Sequence, residues 1–421
     1  MKIVVYSMAH RGDVFPFVPI ASELVRRGHD VTFVVPREFH PVLAAEPFRC
    51  VHSGTDFSPV ELDEHGAFLR RWGMKMGGAV TLRLYFGEFT VPHLEALFTA
   101  VDAELVDADL LVSHPAASLV GAMACERRGI PWIVGDLFPM LVPTATGPPS
   151  GMPDLGGTVN RAMWRLGRSR LVDPLTSRRA FVSFRRRLGL ATDRRWNVVD
   201  ARLSPYHNLA LVSAHYVAPA ADWPSNYRLV GFTSWSGPDA GRLPEEVERF
   251  LDDGPPPVAV TLGTSGATAR PDVFERVADA LDETRARGVF LTSNAAVTDR
   301  LRAAIQPLHG VWPFVPLAPL LPRTCGLVQS GAHGTNAIAL EAGVPSVVVP
   351  CLFDQLWHAR RQDELGTGIW ARRRRHIPNA VQRLLQDNTL GEQARAMSAQ
   401  LATEHGTHTA CNEIEAFMSS A

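Results

Sequence analysis

The sequence predicts an α/β protein of two domains, each built on a parallel sheet with helices on both faces. Three observations carry that prediction. Short apolar runs alternate with stretches of helical period along most of the chain. The alternation starts twice, at the N-terminus and again at Pro256. A stretch rich in Gly, Pro and Ser, NYRLVGFTSWSGPDAGRLPEE, lies between the two series and reads as a linker.

The first strand is the apolar run KIVVYSM, and the polar AHRGD turns the chain. In VFPFVPIASELVRRG, Val18, Ala21, Leu24 and Val25 recur at helical spacing, and Gly28 supplies a stop. HDVTFVVP is the second strand, which completes a β-α-β unit. ADLLVSHP, SLVGAMACERRGI and PWIVGD repeat the pattern. After the linker, PPVAVTLGTSG is a strand with a glycine turn, and PDVFERVADALDETRARG is a helix opened by Pro271. VFLTSN, CGLVQSG and PSVVVPC are further strands. The expected layout is a Rossmann-like domain over residues 1–225, a linker over 226–240 and a second Rossmann-like domain over 241–400. A helix in 401–421 is expected to pack back on the first domain. The active site is expected in a cleft between the domains.

The chain has 421 residues, which is long for one core and ample for two. A hydrophobic share of 46%, a charged share of 20% and a formal net charge of -1 give no overall pull toward nucleic acid or membrane. Lys2 and Lys75 are its lysines, so the basic charge is nearly all arginine. The five cysteines are scattered and never form a C-x-x-C pair, which argues against a disulfide framework or zinc site. The opening MKIVVYSMAHRGD does not read as a signal peptide, and no run approaches the about 18 apolar residues of a membrane span. A soluble cytoplasmic protein is expected.

The most informative stretch is VQSGAHGTNAIALEAGVPSVVVPCLFDQLWHARR, Val328–Arg361. A strand delivers Gly331 and Gly334 into a turn that opens a helix. Helix N-termini present unpaired N–H groups and partial positive charge, so a phosphate binds there without lysine. Taken alone, such glycines are ordinary turn chemistry. Downstream, Asp354-Gln355 follows the C-terminal end of a strand, the edge where open α/β sheets bind ligands. A carboxylate beside an amide suits sugar hydroxyls, which both donate and accept hydrogen bonds.

FVPLAPLLPRTCGLVQSGAHGTNAIALEAGVPSVVVPCLFDQLWHARRQDELGTGI resembles the donor-site signature of the UDP-glycosyltransferase superfamily. RGDVFPFVPIASELVRRGHDVTFVVP is similar to the N-terminal signature of the same group, and within it to bacterial enzymes that glycosylate antibiotics, sterols and lipids. The resemblance implies a GT-B fold and inverting transfer of a sugar from a dTDP or UDP donor to a hydroxyl of a small lipophilic acceptor. It implies no metal and no cofactor beyond the nucleotide sugar. By position, Thr264 and the turn Gly331–Thr335 would hold the diphosphate, with Ser330 and His333 beside it. Phe314 and Val315, with Trp312 close by, would face the base, and Asp354 and Gln355 would hold the donor sugar.

The chain departs from the family pattern at three positions. Ser330 stands where a diphosphate-binding histidine is usual, and Ile338 where a carboxylate takes the ribose hydroxyls. His358 stands where asparagine is common. Ile338 favours dTDP, whose sugar lacks the 2′-hydroxyl. The same departures motivate a second reading, a GT-B protein that binds nucleotide or a partner without turnover. A twin-Rossmann oxidoreductase is disfavoured, because SMAHRGD and GTSGATA both miss G-x-G-x-x-G.

Inverting transfer needs a base for the acceptor hydroxyl. Asp13 matches the family's base position; His10 is a rival, and N-capping the next helix is the structural alternative. His114 falls near the family's supporting residue, either tuning Asp13 or acting as base itself. Asp107-x-Asp109 resembles a metal-binding D-x-D but stands in the wrong context and reads as structural. The basic run Arg161–Arg195, with Trp164, Phe181 and Phe184 interleaved, reads as a solvated helix face, with a membrane surface or anionic acceptor as the alternative. Residues 57–98 are expected to form a lid on the acceptor.

Overall fold

The computed structural model describes the chain except Ala9, 57–82, Met140, 150–151, 194–195, Ser236, 238–240, 264–269, 293–297, 300–307, 352–353 and Ala421. Its described residues divide into two compact units, one within Met1–Trp235 together with His405–Ala421, the other within Ser236–Glu404. Thr264 and residues 57–82 of the expected lid lie outside the described residues.

The first unit holds strands β1 (Lys2–Tyr6), β2 (Asp30–Val35), β3 (Arg49–His52), β4 (Leu110–Ser113), β5 (Trp132–Asp136), β6 (His207–Ala210) and β7 (Tyr227–Leu229). They form one parallel sheet in the order β3-β2-β1-β4-β5-β6-β7. Ile3, Val4, Val5 and Tyr6 are all buried, as a strand covered on both faces requires. Between β1 and β4 the strand order reverses, which opens a crevice at the C-terminal edge of the sheet. The loops leaving β1 and β4 flank that point. Asp107-x-Asp109 is structural: Asp109 Oδ2 accepts from the Lys2 backbone N–H at 2.8 Å and ties β1 to the approach to β4.

Tyr227–Leu229, placed in a linker by the sequence reading, is the edge strand of this sheet. Its sequence shows too few apolar positions to betray a strand, and its anchor is a long-range contact, the Tyr227 hydroxyl donating to Asp136 Oδ2 at 2.8 Å. In the described part of the expected lid, Phe86 and Phe98 are core residues. Phe86 packs edge-on to Phe181, and Phe98 edge-on to Phe184. Trp164, Phe181 and Phe184 are thus buried supports of the basic run rather than part of its surface.

The Val18–Arg26 helix packs against the Gly406–Ser420 helix. Gly406 starts the later helix tight against the chain after β7, since a Cβ there would lie 2.1 Å from the Phe232 carbonyl oxygen. Arg27 bonds Glu415 at 2.7 Å and the mostly buried Glu23 at 2.8 Å. Arg26, with Arg27, pulls the Glu23 carboxyl down to about 2 against its burial.

The second unit holds β8 (Val258–Thr261), β9 (Gly288–Leu291), β10 (His309–Trp312), β11 (Gly326–Gln329), β12 (Ser346–Val348) and β13 (Gly368–Trp370). The order is β10-β9-β8-β11-β12-β13, again parallel, with the reversal between β8 and β11. The strand period of two splits its side chains between two cores. Val258, Val260, Phe290 and Val328 join the Pro271–Glu283 and Ile377–Gln386 helices on one face. Ala259, Val289, Leu291 and Leu327 join Val247, Leu320 and Ile338 on the other.

Candidate functional site

In the first unit, both loops at the switch point carry titratable groups. Asp13 is the third residue of the short Arg11–Val14 helix rather than its cap. Its Oδ2 accepts from the His10 backbone N–H at 3.0 Å, and its backbone carbonyl accepts from Ser7 Oγ at 2.7 Å. Its Oδ1 lies 3.4 Å from His114 Nε2. The capping alternative and the base reading therefore use different oxygens of one carboxylate.

His114 leads out of β4 and is buried, its ring edge-on to Phe17 at 5.9 Å. Its Nδ1 accepts the Ala116 backbone N–H at 3.2 Å, so the neutral ring carries its proton on Nε2, facing Asp13. His114 thus acts as a donor to the carboxylate. Gly135, at the end of β5, leaves room for Phe17, since a Cβ there would stand 2.6 Å from that ring. The His10 ring is held below its ordinary value by burial and is neutral near pH 7. It engages Asp13 through its backbone.

Asp136 also lies at the C-terminal end of this sheet, and the sequence reading passed over it as part of a strand. Its carboxyl is buried, and burial lifts it to about 7 against the Tyr227 hydrogen bond. The signal available was a lone acid closing an otherwise apolar run. Because its folded value exceeds its unfolded one, Asp136 favours folding at low pH, and that contribution disappears as pH rises from about 4 to about 7. Between those limits it should cost about 1 kcal/mol per pH unit. Urea unfolding of an Asp136→Asn variant is expected to lose less stability than the wild type over this window.

In the second unit, β11 ends at Gln329 and the His333–Glu341 helix follows. Ser330 and His333 are buried; Ala332, Gly334 and Thr335 are partly exposed. Gly331 has φ +89°, and a Cβ there would meet Val348 Cγ1 at 2.8 Å and the Gln355 carbonyl oxygen at 3.0 Å. A Cβ on Gly334 would meet nothing within 4 Å. The helix has no side-chain cap. The His333 backbone N–H points to the Asp354 carboxyl, while those of Gly334 and Thr335 have no acceptor among the described residues. Two donors at the positive end of a helix dipole are therefore left without an acceptor among the described residues at the switch point.

Asp354 precedes the Gln355–Leu365 helix, and burial lifts its carboxyl to about 7. His358 Nε2 lies 3.8 Å from Asp354 Oδ2. Burial, helped by nearby His333, holds His358 well below its usual value, so the ring is neutral. Gln355 is buried, and its Oε1 accepts from the Cys351 backbone N–H at 2.8 Å, which fixes the loop. Ile338 packs in the core beside Val315 and Leu320.

The three positions expected at the base differ in exposure. Val315 is core, and Trp312 packs edge-on to Phe250 at 5.5 Å. Phe314 is 56% exposed, and its ring is the one large apolar surface of the three open to a planar ligand.

Residues 287–417 match the family described as erythromycin biosynthesis protein CIII-like, C-terminal domain. Over 99% of its length, the chain is 28% identical to the O-mycaminosyltylonolide 6-deoxyallosyltransferase of Streptomyces fradiae, covering 97% of that enzyme. The fold matches the glycotransferase of kitacinnamycin with a TM-score of 0.74 at 20% identity, covering 99% of this chain and 98% of that one. It also matches the glycosyltransferase VinC, determined in complex with dTDP, with a TM-score of 0.71 at 17% identity over the full length of both.

Proposed function

We propose, for a chain that belongs to the UDP-glycosyltransferase superfamily and has its GT-B fold, an inverting transfer from dTDP-sugar to a natural-product hydroxyl. The observation that carries the reading is the Asp13–His114 pair at the switch point of the first sheet. Asp13 takes the proton of the acceptor hydroxyl, and His114 and the His10 N–H fix the carboxylate's orientation. The acceptor oxygen bonds to the anomeric carbon from the face opposite the nucleotide as the bond from that carbon to the diphosphate oxygen breaks. The electron pair leaves with the diphosphate.

The Gly334 and Thr335 N–H groups and the helix dipole receive that charge, so the reaction needs no divalent metal. Asp354 binds a sugar hydroxyl, and the Gln355 amide adds a second contact. Phe314 stacks on the base. Ile338, a core residue, offers nothing to a ribose 2′-hydroxyl, which supports dTDP over UDP; VinC was determined with the same nucleotide. The lipophilic natural-product acceptor rests on the likeness to the Streptomyces fradiae enzyme.

Calorimetric titration with dTDP, UDP and GDP tests the donor site. Tighter binding of dTDP, unchanged by a chelator, is expected. Absence of nucleotide binding overturns the donor assignment, and retention of anomeric configuration in the product overturns the inverting mechanism.

A further inference from the structure

The first unit carries a surface built of residues to which the proposed transfer gives no part. We propose that residues 152–186 dock on a membrane surface of anionic phospholipids. The Gly157–Gly167 helix is apolar on two sides. Asn160 and Trp164 face the protein and are buried, while Val159, Ala162 and Leu166, at spacing i, i+3, i+7, are exposed. Arg161 and Arg165 stand one position beside this stripe and are exposed as well. Met152 and Leu155 before the helix are also bare, and Leu171 just after it is 79% exposed. Val159, Ala162 and Leu166 outward on one helix face, with Leu155 and Leu171 exposed at either end, present more apolar surface than a water-facing helix needs.

Next to Leu171, Arg170 begins the rim of a cleft of about 320 Å³ also lined by Arg178, Arg179, Ser183, Arg186 and Asp193. Arg178 is committed, bonding the Trp196 carbonyl at 2.7 Å and Asp173 at 3.5 Å. The guanidinium groups of Arg170, Arg179 and Arg186 make no ion pair or hydrogen bond among the described residues. Cations without partners among the described residues, beside outward-facing leucines, match the two layers of a lipid surface. The arginines meet headgroup phosphates, and Leu166, Leu171 and Val159 enter the acyl boundary. A soluble polyanion would leave the apolar stripe unexplained.

Flotation of the purified full chain with vesicles tests this. Recruitment is expected to phosphatidylglycerol-containing vesicles, reversed by raised salt, and to phosphatidylcholine vesicles only feebly. A Leu166→Glu/Leu171→Glu variant and an Arg179→Glu/Arg186→Glu variant should each weaken recruitment by about tenfold or more. All four side chains are exposed, so far-UV circular dichroism and thermal midpoint should not change. No recruitment to the anionic vesicles, or recruitment indifferent to both variants, overturns the proposal. So does concentration-dependent self-association that the leucine variant abolishes in the absence of vesicle binding, which would assign the surface to a second copy of the chain. Calorimetry with dTDP is a separate measurement, so failure here leaves the donor site standing.

Discussion

Replacing Asp13 by asparagine is expected to lower kcat by about 10²–10⁴-fold, with affinity for dTDP unchanged. The substitution is nearly isosteric. The amide oxygen of the new side chain can still accept the His10 N–H, so the helix start survives. What is lost is the negative charge and the lone pair that takes the acceptor's proton. His114 cannot take over, because Ala116 occupies its Nδ1 and its Nε2 carries the hydrogen. A His114→Asn change should therefore cost less than Asp13→Asn, since it removes orientation but leaves the carboxylate. Steady-state kinetics with a fixed acceptor, paired with calorimetry, decides this. If Asp13→Asn keeps kcat within about threefold of the wild type, Asp13 is a helix-start residue and nothing more.

The second large effect separates two glycines three residues apart. Gly331→Ala should destabilise the second unit by about 2–5 kcal/mol, combining left-handed strain with overpacking against Val348 and the Gln355 backbone. Gly334→Val should leave stability within about 1 kcal/mol, because the first turn of the helix tolerates it and its Cβ meets only open space. Yet the valine adds bulk beside the Gly334 and Thr335 N–H groups of the proposed diphosphate site, so dTDP affinity should fall by at least tenfold. Thermal melts and nucleotide titrations on both variants make the comparison. Wild-type dTDP binding by Gly334→Val would mean that no diphosphate sits on this turn.

Much of the fold was legible because parallel sheets covered on both faces write themselves as short apolar runs between helical patterns. The runs that became β1, β4, β8 and β11 were plain for that reason, and with them came the two switch points. The edge strand Tyr227–Leu229 was not, since an edge needs fewer apolar positions and its Pro- and Gly-rich flanks resemble a linker. At the proposed donor site, glycine spacing exposed the turn that opens the His333–Glu341 helix. The role of His114 depended on contacts from Ala116 and Asp13, which are set by three dimensions rather than spacing. Asp136 was invisible because its partner, Tyr227, lies 91 positions away.

The Gly406–Ser420 helix has a consequence for how the protein is made. Ribosomes synthesise the chain from its N-terminus, and the first unit's sheet is complete in sequence by Leu229. Its Val18–Arg26 helix nevertheless waits for a partner that emerges only after the whole of Ser236–Glu404. Until then, Ile20, whose carbonyl receives the Cys411 thiol at 3.7 Å, and Arg27, which has Glu23 but not yet its second acid partner Glu415, lack contacts they will keep in the finished fold. The unit begun first is therefore finished last. A nascent chain carries an open apolar seam through most of its synthesis, a natural stopping place for a holdase chaperone.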